Sequence, residues 1–489
     1  MLFNSYEFAI FLPIVFFCYW FVFQRNLKLQ NLFILIVSYI FYGWWDWKFL
    51  LLIALTSICS WGSGVLVQHY DKEEPGKFNK RKWITAANLI LNLGILGFFK
   101  YYNFFVINFI DLFASMGITL EASTLRVILP VGISFYTFQA LSYTIDVYRR
   151  DIVATKDVVS FLAYVSFFPQ LVAGPIERAT NLLPQFYKPR TFNYTDAVDG
   201  GRQILWGLFK KIVVADNCAI LANYIFGNSA DMPGSALVIG AICFAFQIYG
   251  DFSGYSDIAI GTGRLFGIKL MRNFHYPYFS RDIAEFWRKW HISLTTWFRD
   301  YIYIPLGGSR KGKWASLRNT MIIFLVSGLW HGANWTFVVW GAFHAILFLP
   351  LLLMGKNRRN TGMVAQDTLF PSFKELFQMV LTFNLVLVGW IIFRANNIQH
   401  AWSYIAGIFD ASLFKSPMNV SMINDNLIKN IVFVGILVLV EWFQRKREHG
   451  LQIMGIFKQR WVRITIYYLV IFLIAMVGAK QAQFIYFQF

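Results

Sequence analysis

Long, continuously apolar runs recur along this sequence from Phe8 to Ala479, and they constrain its fold more than any other feature. A helix needs roughly 20 apolar residues to cross about 30 Å of bilayer hydrocarbon. The 489 residues are 57% hydrophobic and only 14% charged, a composition typical of a chain whose solvent is lipid. The runs do not alternate polar and apolar residues, which argues against a membrane β-barrel. We therefore predict an all-α polytopic membrane protein, with roughly ten to twelve transmembrane or re-entrant helices and interfacial amphipathic helices, in one domain over 1–489.

The formal charge of +18 is carried by short loops between the apolar runs rather than by one basic module. This distribution follows the positive-inside rule and gives no reason to expect nucleic-acid binding. It places the links His69–Lys82 and Glu441–Arg463 in the cytosol, where they also meet anionic lipid headgroups favourably. The last apolar run, near 464–478, then exits on the outer side, which predicts an extracytoplasmic C-terminus. The N-terminal run lacks a basic n-region and a cleavage site, so we expect a retained first helix.

A basic, tryptophan-rich segment begins at Asp282 with a possible capping box to Glu285. Its residues fall at helical spacing, which predicts a single amphipathic helix at the membrane interface. The apolar stripe contains Trp287, Trp290, Leu294, Trp297 and Tyr301, and the polar stripe contains Arg288, His291, Thr295 and Arg299. We expect the polar stripe to form part of a cytosolic funnel in which Arg288 and Arg299 bind a phosphate-bearing donor.

His331 lies inside the next apolar run, where an ionisable group is expensive and usually marks a functional site. If the run is one helix, Ser327 and Asn334 share the face of His331 and are its expected hydrogen-bond partners. The functional interpretation makes His331 a general base that takes a proton from an attacking hydroxyl. The alternative is a structural histidine that hydrogen-bonds between helices.

No metal site is predicted. On one straight helix, His331 and His344 would lie roughly 20 Å apart on divergent faces. The four cysteines, Cys18, Cys59, Cys218 and Cys243, stand singly in apolar runs without CxxC spacing.

Three further stretches carry polar residues in apolar surroundings. Gly174-Pro175 must break a helix, and broken backbone at membrane depth needs protein or a water-filled cavity around it. The stretch 200–226 contains two lysines and an aspartate, for which an ordinary interfacial amphipathic helix is the favoured interpretation. Asp251 and Asp257 have two interpretations. They cap helix ends, since the sequence Asp-Phe-Ser-Gly is typical of turns, or they line a polar substrate pocket.

The motifs WRKWHISLTTWFRDYIYIPLGG (287–308) and SGLWHGANWTFVVWGAFHA (327–345) closely resemble the membrane-bound O-acyltransferase (MBOAT) family. The resemblance extends to 173–186 and 249–261 and covers essentially the whole chain. It is closest to the bacterial branch that serves alginate O-acetylation and teichoic acid D-alanylation. It implies a central tunnel between a cytosolic donor and an outer acceptor, with His331 as the catalytic histidine and His291 as a second characteristic residue. No bound cofactor is implied, and the donor is acetyl-CoA or an acyl carrier protein thioester.

The same resemblance gives a meaning to the C-terminal residues 484–489, which read FIYFQF. In the teichoic acid system a small partner ends in Phe-x-Tyr-x-x-Phe, and its tyrosine is thought to accept the acyl group. By this likeness Tyr486 receives the acyl group and passes it to an extracytoplasmic SGNH-type serine acyltransferase, which acylates a polysaccharide. The alternative is an aromatic tail that anchors at the membrane interface.

Two other functions fit part of the pattern. A transporter or channel would explain many helices, broken segments and buried charges, but it predicts inverted repeats that the sequence does not display. A third possibility keeps the acyltransferase but makes its acceptor a lipid or a protein. A His331→Ala protein that still moves substrate but makes no ester would favour the transporter or channel. The location of labelled acyl groups distinguishes a polysaccharide acceptor from a lipid or a protein.

Overall fold

The computed structural model describes residues 1–72, 79–120, 125, 128–454, 456–478 and 484–485. Within these residues every regular element is a helix, which confirms the prediction of an all-α fold. The first half contains α1 (Tyr6–Phe17), α2 (Leu27–Gly43), α3 (Leu50–His69), α4 (Lys80–Ser115), α5 (Ile133–Arg149), α6 (Val158–Ser166), α7 (Phe168–Leu171) and α8 (Ala179–Leu182). The second half contains α9 (Tyr194–Leu208), α10 (Asp216–Gly227), α11 (Gly234–Leu265), α12 (Ile283–Lys289), α13 (Ile292–Phe298), α14 (Lys313–His331), α15 (Trp335–Leu353), α16 (Phe373–Arg394), α17 (Ile398–Ile408), α18 (Ser421–Phe443) and α19 (Arg460–Val477).

Seven helices in the described ranges are long and apolar enough to cross a bilayer. They are Trp47–His69, Lys80–Ser115, Gly234–Leu265, Trp335–Leu353, Phe373–Arg394, Ser421–Phe443 and Arg460–Val477. Two shorter apolar helices, Tyr6–Val22 and Leu27–Gly43, add to them. The runs 84–99 and 101–114 form the single helix α4 rather than two passes, and the pass expected near 398–414 is the short helix α17.

The helices form two compact units, 1–198 with 262–271, and 199–261 with 272–489. That both belong to a single membrane domain stays a prediction. In the first unit α2 packs on α6, and α3 packs on α4 and α5. The predicted break at Gly174-Pro175 is confirmed, because the chain runs from Val172 to Arg178 without a helix. The buried carboxylate of Glu177 lies in this break and accepts hydrogen bonds from the Asn181 side chain, at 2.7 Å, and the Met271 backbone N–H.

The second unit holds the predicted site residues that the structure describes. Its central hairpin is α14 and α15, which pack along their length, with α16 against α15. A π-helical segment, Phe209–Ala215, joins α9 to α10 and contacts α18 and α19. A second π-helical segment, Arg299–Tyr303, follows α13.

Candidate active site

His331 is the last residue of α14, and the chain reverses immediately after it. Glycines make this reversal possible, because a Cβ on Gly332 would lie 2.1 Å from the Phe337 ring. A Cβ on Gly328 would lie 2.2 Å from the Phe337 carbonyl oxygen. The backbones of the two hairpin helices are therefore in close contact at this point. His331 is therefore fixed at the end of a hairpin and remains 5% exposed.

The prediction that Asn334 shares the helical face of His331 is wrong, because the helix ends between the two residues. The Asn334 side chain caps α15 instead, accepting the Thr336 N–H at 3.0 Å and donating to the Asn396 carbonyl at 3.0 Å. Ser327 does lie on α14 one turn before His331, and it is buried. The SGLWHGANW motif is thus a hairpin signature as well as the carrier of a histidine.

His291 lies at a second break, between α12 and α13, so the predicted continuous amphipathic helix is wrong. Its backbone adopts the left-handed region, with φ +46°, which is uncommon for a residue other than glycine. A neighbouring extended segment satisfies the freed backbone groups: Ile292 N–H donates to Asn273 O, and His275 N–H donates to Lys289 O, both at 2.9 Å. Strained backbone held this way clusters at functional sites.

The break turns His291 inward, to 1% exposure, rather than into a water-facing funnel. The centroids of the His291 and His331 rings lie 6.5 Å apart. Aromatic rings surround the pair: Trp330 contacts both histidines, at 5.7 Å and 5.0 Å. Trp340 and Phe393 contact His331, at 5.1 Å and 5.3 Å. We call His291 and His331 the histidine pair.

Asn273 fixes the tautomer of His291. The Asn273 Oδ1 atom lies 3.1 Å from His291 Nδ1 and also accepts the Ser293 hydroxyl, while Nδ2 donates to Ser256. Because an amide oxygen only accepts, Nδ1 of His291 carries the proton and Nε2 keeps its lone pair. His291 lies outside the candidate membrane spans, and its burial lowers its pKa to about 3, so the imidazole is neutral near pH 7.

His344 lies on α15, and the straight helix that was assumed to separate it from His331 does not exist. Both histidines contact the same residue, Trp340, at 5.1 Å and 5.0 Å between ring centroids. His344 is fully buried, and a Cβ on Gly389 would lie 2.6 Å from its Nε2 atom. Among the described residues no group of three or more potential ligands could hold a metal ion.

The π-helical segment, the first residue of α10 and α11 share a cluster of charged residues, of which Lys210, Lys211, Asp216 and Asp251 are buried and Asp257 is partly exposed. Lys211 lies 2.8 Å from Asp216 and 2.9 Å from Asp251, and Lys210 lies 2.5 Å from Asp257. We call these five residues the paired-charge cluster. The interfacial amphipathic helix predicted over 200–226 is therefore wrong, because its charged side chains are buried and paired inside protein.

Asp251 and Asp257 are not helix caps, since both lie well inside α11. Asp257 lines a narrow polar cleft, as the alternative interpretation expected. The cleft also contains Lys210, Arg272, Asn273 and Glu441 among its lining residues. Asn273 therefore connects the two regions, since it lines the cleft and hydrogen-bonds His291.

The structure does not bring Arg288 and Arg299 to the histidine pair. Arg288 is exposed and donates to the Asn357 and Asn360 carbonyls, both at 2.7 Å, where it holds a loop. Arg299 pairs with its neighbour Asp300 at 2.6 Å. Tyr486 lies outside the described residues, but Phe484 and Ile485 are described and buried.

Sequence reasoning missed Asn273 and Phe252. Phe252 contacts His291 at 4.6 Å between ring centroids, and Asn273 orients it. Neither residue stands at a spacing that distinguishes it from its neighbours. The only sequence signal near Phe252 was its position in YGDFSGYSDIAIG (249–261), a stretch that was noted for its aspartates.

Comparison with known proteins identifies a family and several named relatives. The model of the family described as MBOAT, membrane-bound O-acyltransferase family, matches residues 149–389. The chain is 40% identical over 410 residues to Probable alginate O-acetylase AlgI of Pseudomonas aeruginosa, an alignment that covers 84% of this chain and 75% of that protein. It is 30% identical over 535 aligned residues to Peptidoglycan O-acetyltransferase of Helicobacter pylori, covering 100% and 98%. It is 27% identical over 288 residues to Teichoic acid D-alanyltransferase of Bacillus subtilis, covering 55% and 70%.

The apolar helices and these similarities define a multi-pass membrane acyltransferase. The chain belongs to the membrane-bound O-acyltransferase family, as the sequence motifs predicted. The prediction of an acyltransferase is confirmed, and the transporter or channel alternative is set aside.

Proposed function

We propose that this protein transfers an acyl group, most simply acetyl, from a cytosolic thioester to an extracytoplasmic polysaccharide, from a bacterial inner membrane. The observation that carries the proposal is the histidine pair: two buried imidazoles with centroids 6.5 Å apart, in a membrane acyltransferase. The names of three similar proteins refer to alginate, peptidoglycan and teichoic acid, which supports a polysaccharide acceptor.

His331 acts as the general base in this proposal. It takes the proton from the attacking hydroxyl as the new C–O bond forms and the C–S bond of the thioester breaks. The same proton then goes to the departing thiolate. The surrounding rings of Trp330, Trp340 and Phe393 exclude water and so limit hydrolysis of the thioester.

His291 has a different task, because Asn273 fixes its tautomer and it stays neutral. Its Nε2 lone pair accepts a hydrogen bond from the donor or the attacking hydroxyl and so orients the reactants. The left-handed backbone and the aromatic contacts hold the ring in place before any substrate binds.

Acetyl-CoA and an acyl carrier protein are both compatible with this site as donors. Either donor is anionic and meets the basic links that the positive-inside rule assigns to the cytosol. Lys210, Arg272 and Asn273 line the same polar cleft, and Asn273 hydrogen-bonds His291, so two basic residues lie close to the histidine pair. A central tunnel through to the outer side stays a prediction.

The acyl group crosses in two shorter transfers rather than one. The thioester acyl first moves to the Tyr486 hydroxyl, which forms a phenyl ester and releases the thiol. A serine of an extracytoplasmic SGNH-type partner then attacks this ester, releases the phenol and acylates the polysaccharide. A phenyl ester remains activated, so the second transfer is not uphill.

Purified protein incubated with acetyl-CoA that is labelled in the acetyl group tests this scheme, with acetyl-loaded acyl carrier protein in a parallel reaction. We expect a covalent label on Tyr486, and its loss in His331→Ala and Tyr486→Phe. Tyr468→Phe is the matched control, because Tyr468 is an exposed tyrosine of α19 that the scheme does not use.

The location of the label decides among the alternatives. Label in lipid or in another protein would replace the polysaccharide acceptor. Unaltered polysaccharide acetylation by Tyr486→Phe would refute the relay and leave direct transfer or an aromatic anchor for the tail. Unaltered transfer by His331→Ala would refute the catalytic assignment.

A further inference from the structure

We propose that Asp251 is a positioning residue that anchors the C-terminal segment inside the second unit through Ile485, and so holds this segment for the transfer of the acyl group. The presentation of Tyr486 for acylation rests on the function proposed above. The anchoring itself rests only on contacts of described residues, so the two can fail separately.

The anchor is a hydrogen bond from backbone to a buried carboxylate. The Ile485 N–H donates to Asp251 Oδ2 at 2.7 Å, across 234 residues of sequence. Ile485 is 0% exposed and Phe484 is 2% exposed, so this part of the chain lies in the protein interior rather than at a lipid surface. The interior position does not fit an aromatic tail that merely rests at the membrane interface.

An aromatic contact accompanies the anchor and leads toward the histidines. The Phe484 ring lies 5.1 Å from Tyr255, one turn after Asp251 on α11, and 6.4 Å from Phe252. Phe252 in turn contacts His291 at 4.6 Å. One phenyl ring thus separates the C-terminal segment from the histidine pair, and Tyr486 is bonded directly to Ile485.

The charges around Asp251 explain why it can serve as the acceptor. Lys211 is shared between Asp216 and Asp251, at 2.8 Å and 2.9 Å, so Asp251 uses Oδ1 for the lysine and keeps Oδ2 for the Ile485 N–H. A hydrogen bond to a charged group contributes more to stability than one between neutral groups. Loss of Asp251 leaves Lys211 with Asp216, which keeps the lysine compensated and allows the variant to fold.

Asp257 provides a matched control on the same helix. It is six residues further along α11 and pairs with Lys210 much as Asp251 pairs with Lys211. Its hydrogen bond is to Gln203, at 2.8 Å, and not to Ile485. A general loosening of α11 would follow from either substitution, whereas release of the tail would follow only from the substitution at Asp251.

Hydrogen exchange of the purified full-length protein tests the anchor. We expect Asp251→Ala to speed exchange of the Ile485 amide by about tenfold or more, since 1.4 kcal/mol corresponds to a factor of ten. Asp251→Asn keeps an acceptor oxygen and should speed exchange less, while Asp257→Asn should leave this amide as slow as in the wild type. Unchanged exchange in Asp251→Ala, or an equal increase in Asp257→Asn, would overturn the proposal.

Single-turnover transfer from labelled acetyl-CoA tests the positioning role. We expect Asp251→Ala to lower the rate of labelling of the tail about tenfold at saturating donor, with the KM for donor unchanged, and Asp251→Asn to recover part of it. Unchanged labelling despite faster exchange would overturn the positioning role. If Tyr486→Phe retains full polysaccharide acetylation, the relay fails, and product formation becomes the readout: full product from Asp251→Ala would then overturn positioning as well.

Discussion

The histidine pair and the paired-charge cluster lie in the same unit, but their ionisable groups have different surroundings. The histidines are surrounded by Trp, Phe and each other, and His291 stays neutral. In the paired-charge cluster each lysine lies within 2.9 Å of a carboxylate. A neutral imidazole can gain a proton during a reaction, whereas a paired charge is committed to its partner. We therefore expect substitutions in the histidine pair to lower the rate of acyl transfer, and substitutions in the paired-charge cluster to lower the free energy of unfolding.

The largest expected effect is on transfer, in the histidine pair. His331→Ala and the bulkier His331→Gln should lower the transfer rate by about 10²–10⁴-fold, the usual contribution of a general base. His344→Ala is the control, because His344 contacts the same Trp340 but is not part of the pair. Rates are measured per folded protein. An equal loss in His344→Ala would show that packing around Trp340, rather than base catalysis, is being measured.

The paired-charge cluster should give the largest loss of stability. Lys210→Met leaves Asp257 without its partner at 2.5 Å and should cost about 3–5 kcal/mol, because an uncompensated buried charge remains. The double variant Lys210→Met, Asp257→Asn should recover most of that loss. Unfolding free energies in detergent measure both. Additive effects in the double variant would contradict the pairing.

The hairpin that supports the histidine pair should be sensitive to a single added methyl group. Gly328→Ala places a Cβ 2.2 Å from the Phe337 carbonyl oxygen and should lower the free energy of unfolding by about 1–3 kcal/mol. Gly435→Ala on α18 is the control, because nothing lies within 4 Å of its Cβ. A similar change in both variants would mean that helix propensity, rather than the close approach, determines the effect.

The effect that is smallest near neutral pH concerns the protonation of His291. The native pKa of His291 is about 3, below the unfolded value near 6.5, so only the unfolded state binds the proton between these values. Stability from this residue is therefore present above pH 6.5 and falls by about 1.4 kcal/mol per unit as the pH drops below it. His291→Asn, which tolerates the left-handed backbone, should flatten this slope, while the exposed His69→Asn should not. Identical slopes in all three proteins would contradict a buried neutral His291.

Local chemistry made much of the fold predictable. Apolar runs of sufficient length specify helices because the backbone must satisfy its own hydrogen bonds in lipid, and Gly174-Pro175 predicted a real break. Lys100 misled the interpretation, since it interrupts hydropathy while favouring helix, so two expected passes are one helix. The breaks at His291 and Gly332 depend on distant partners, Asn273 and Phe337, which no local pattern reveals.

The site was predictable by residue type but not by position. His331 was identified because its charge is out of place in an apolar run, and the family resemblance supported it. His291 was assigned to a solvated stripe, since helical spacing was extended through a residue that ends the helix. The burial of Lys210 and Lys211 was missed for a different reason, because their carboxylate partners on α11, Asp257 and Asp251, lie some forty residues away.

The π-helical segment between α9 and α10 constrains the length of the chain at this point, and not only the identity of its residues. The Asp216 N–H reaches the Lys211 carbonyl five positions back, and the two side chains also meet at 2.8 Å. Removing one residue between Phe209 and Ala215 would restore an ordinary turn and rotate one side of the deletion by about 100° against the other. Substitutions here could be repaired one by one during evolution, whereas a single-codon deletion would separate several partners at once.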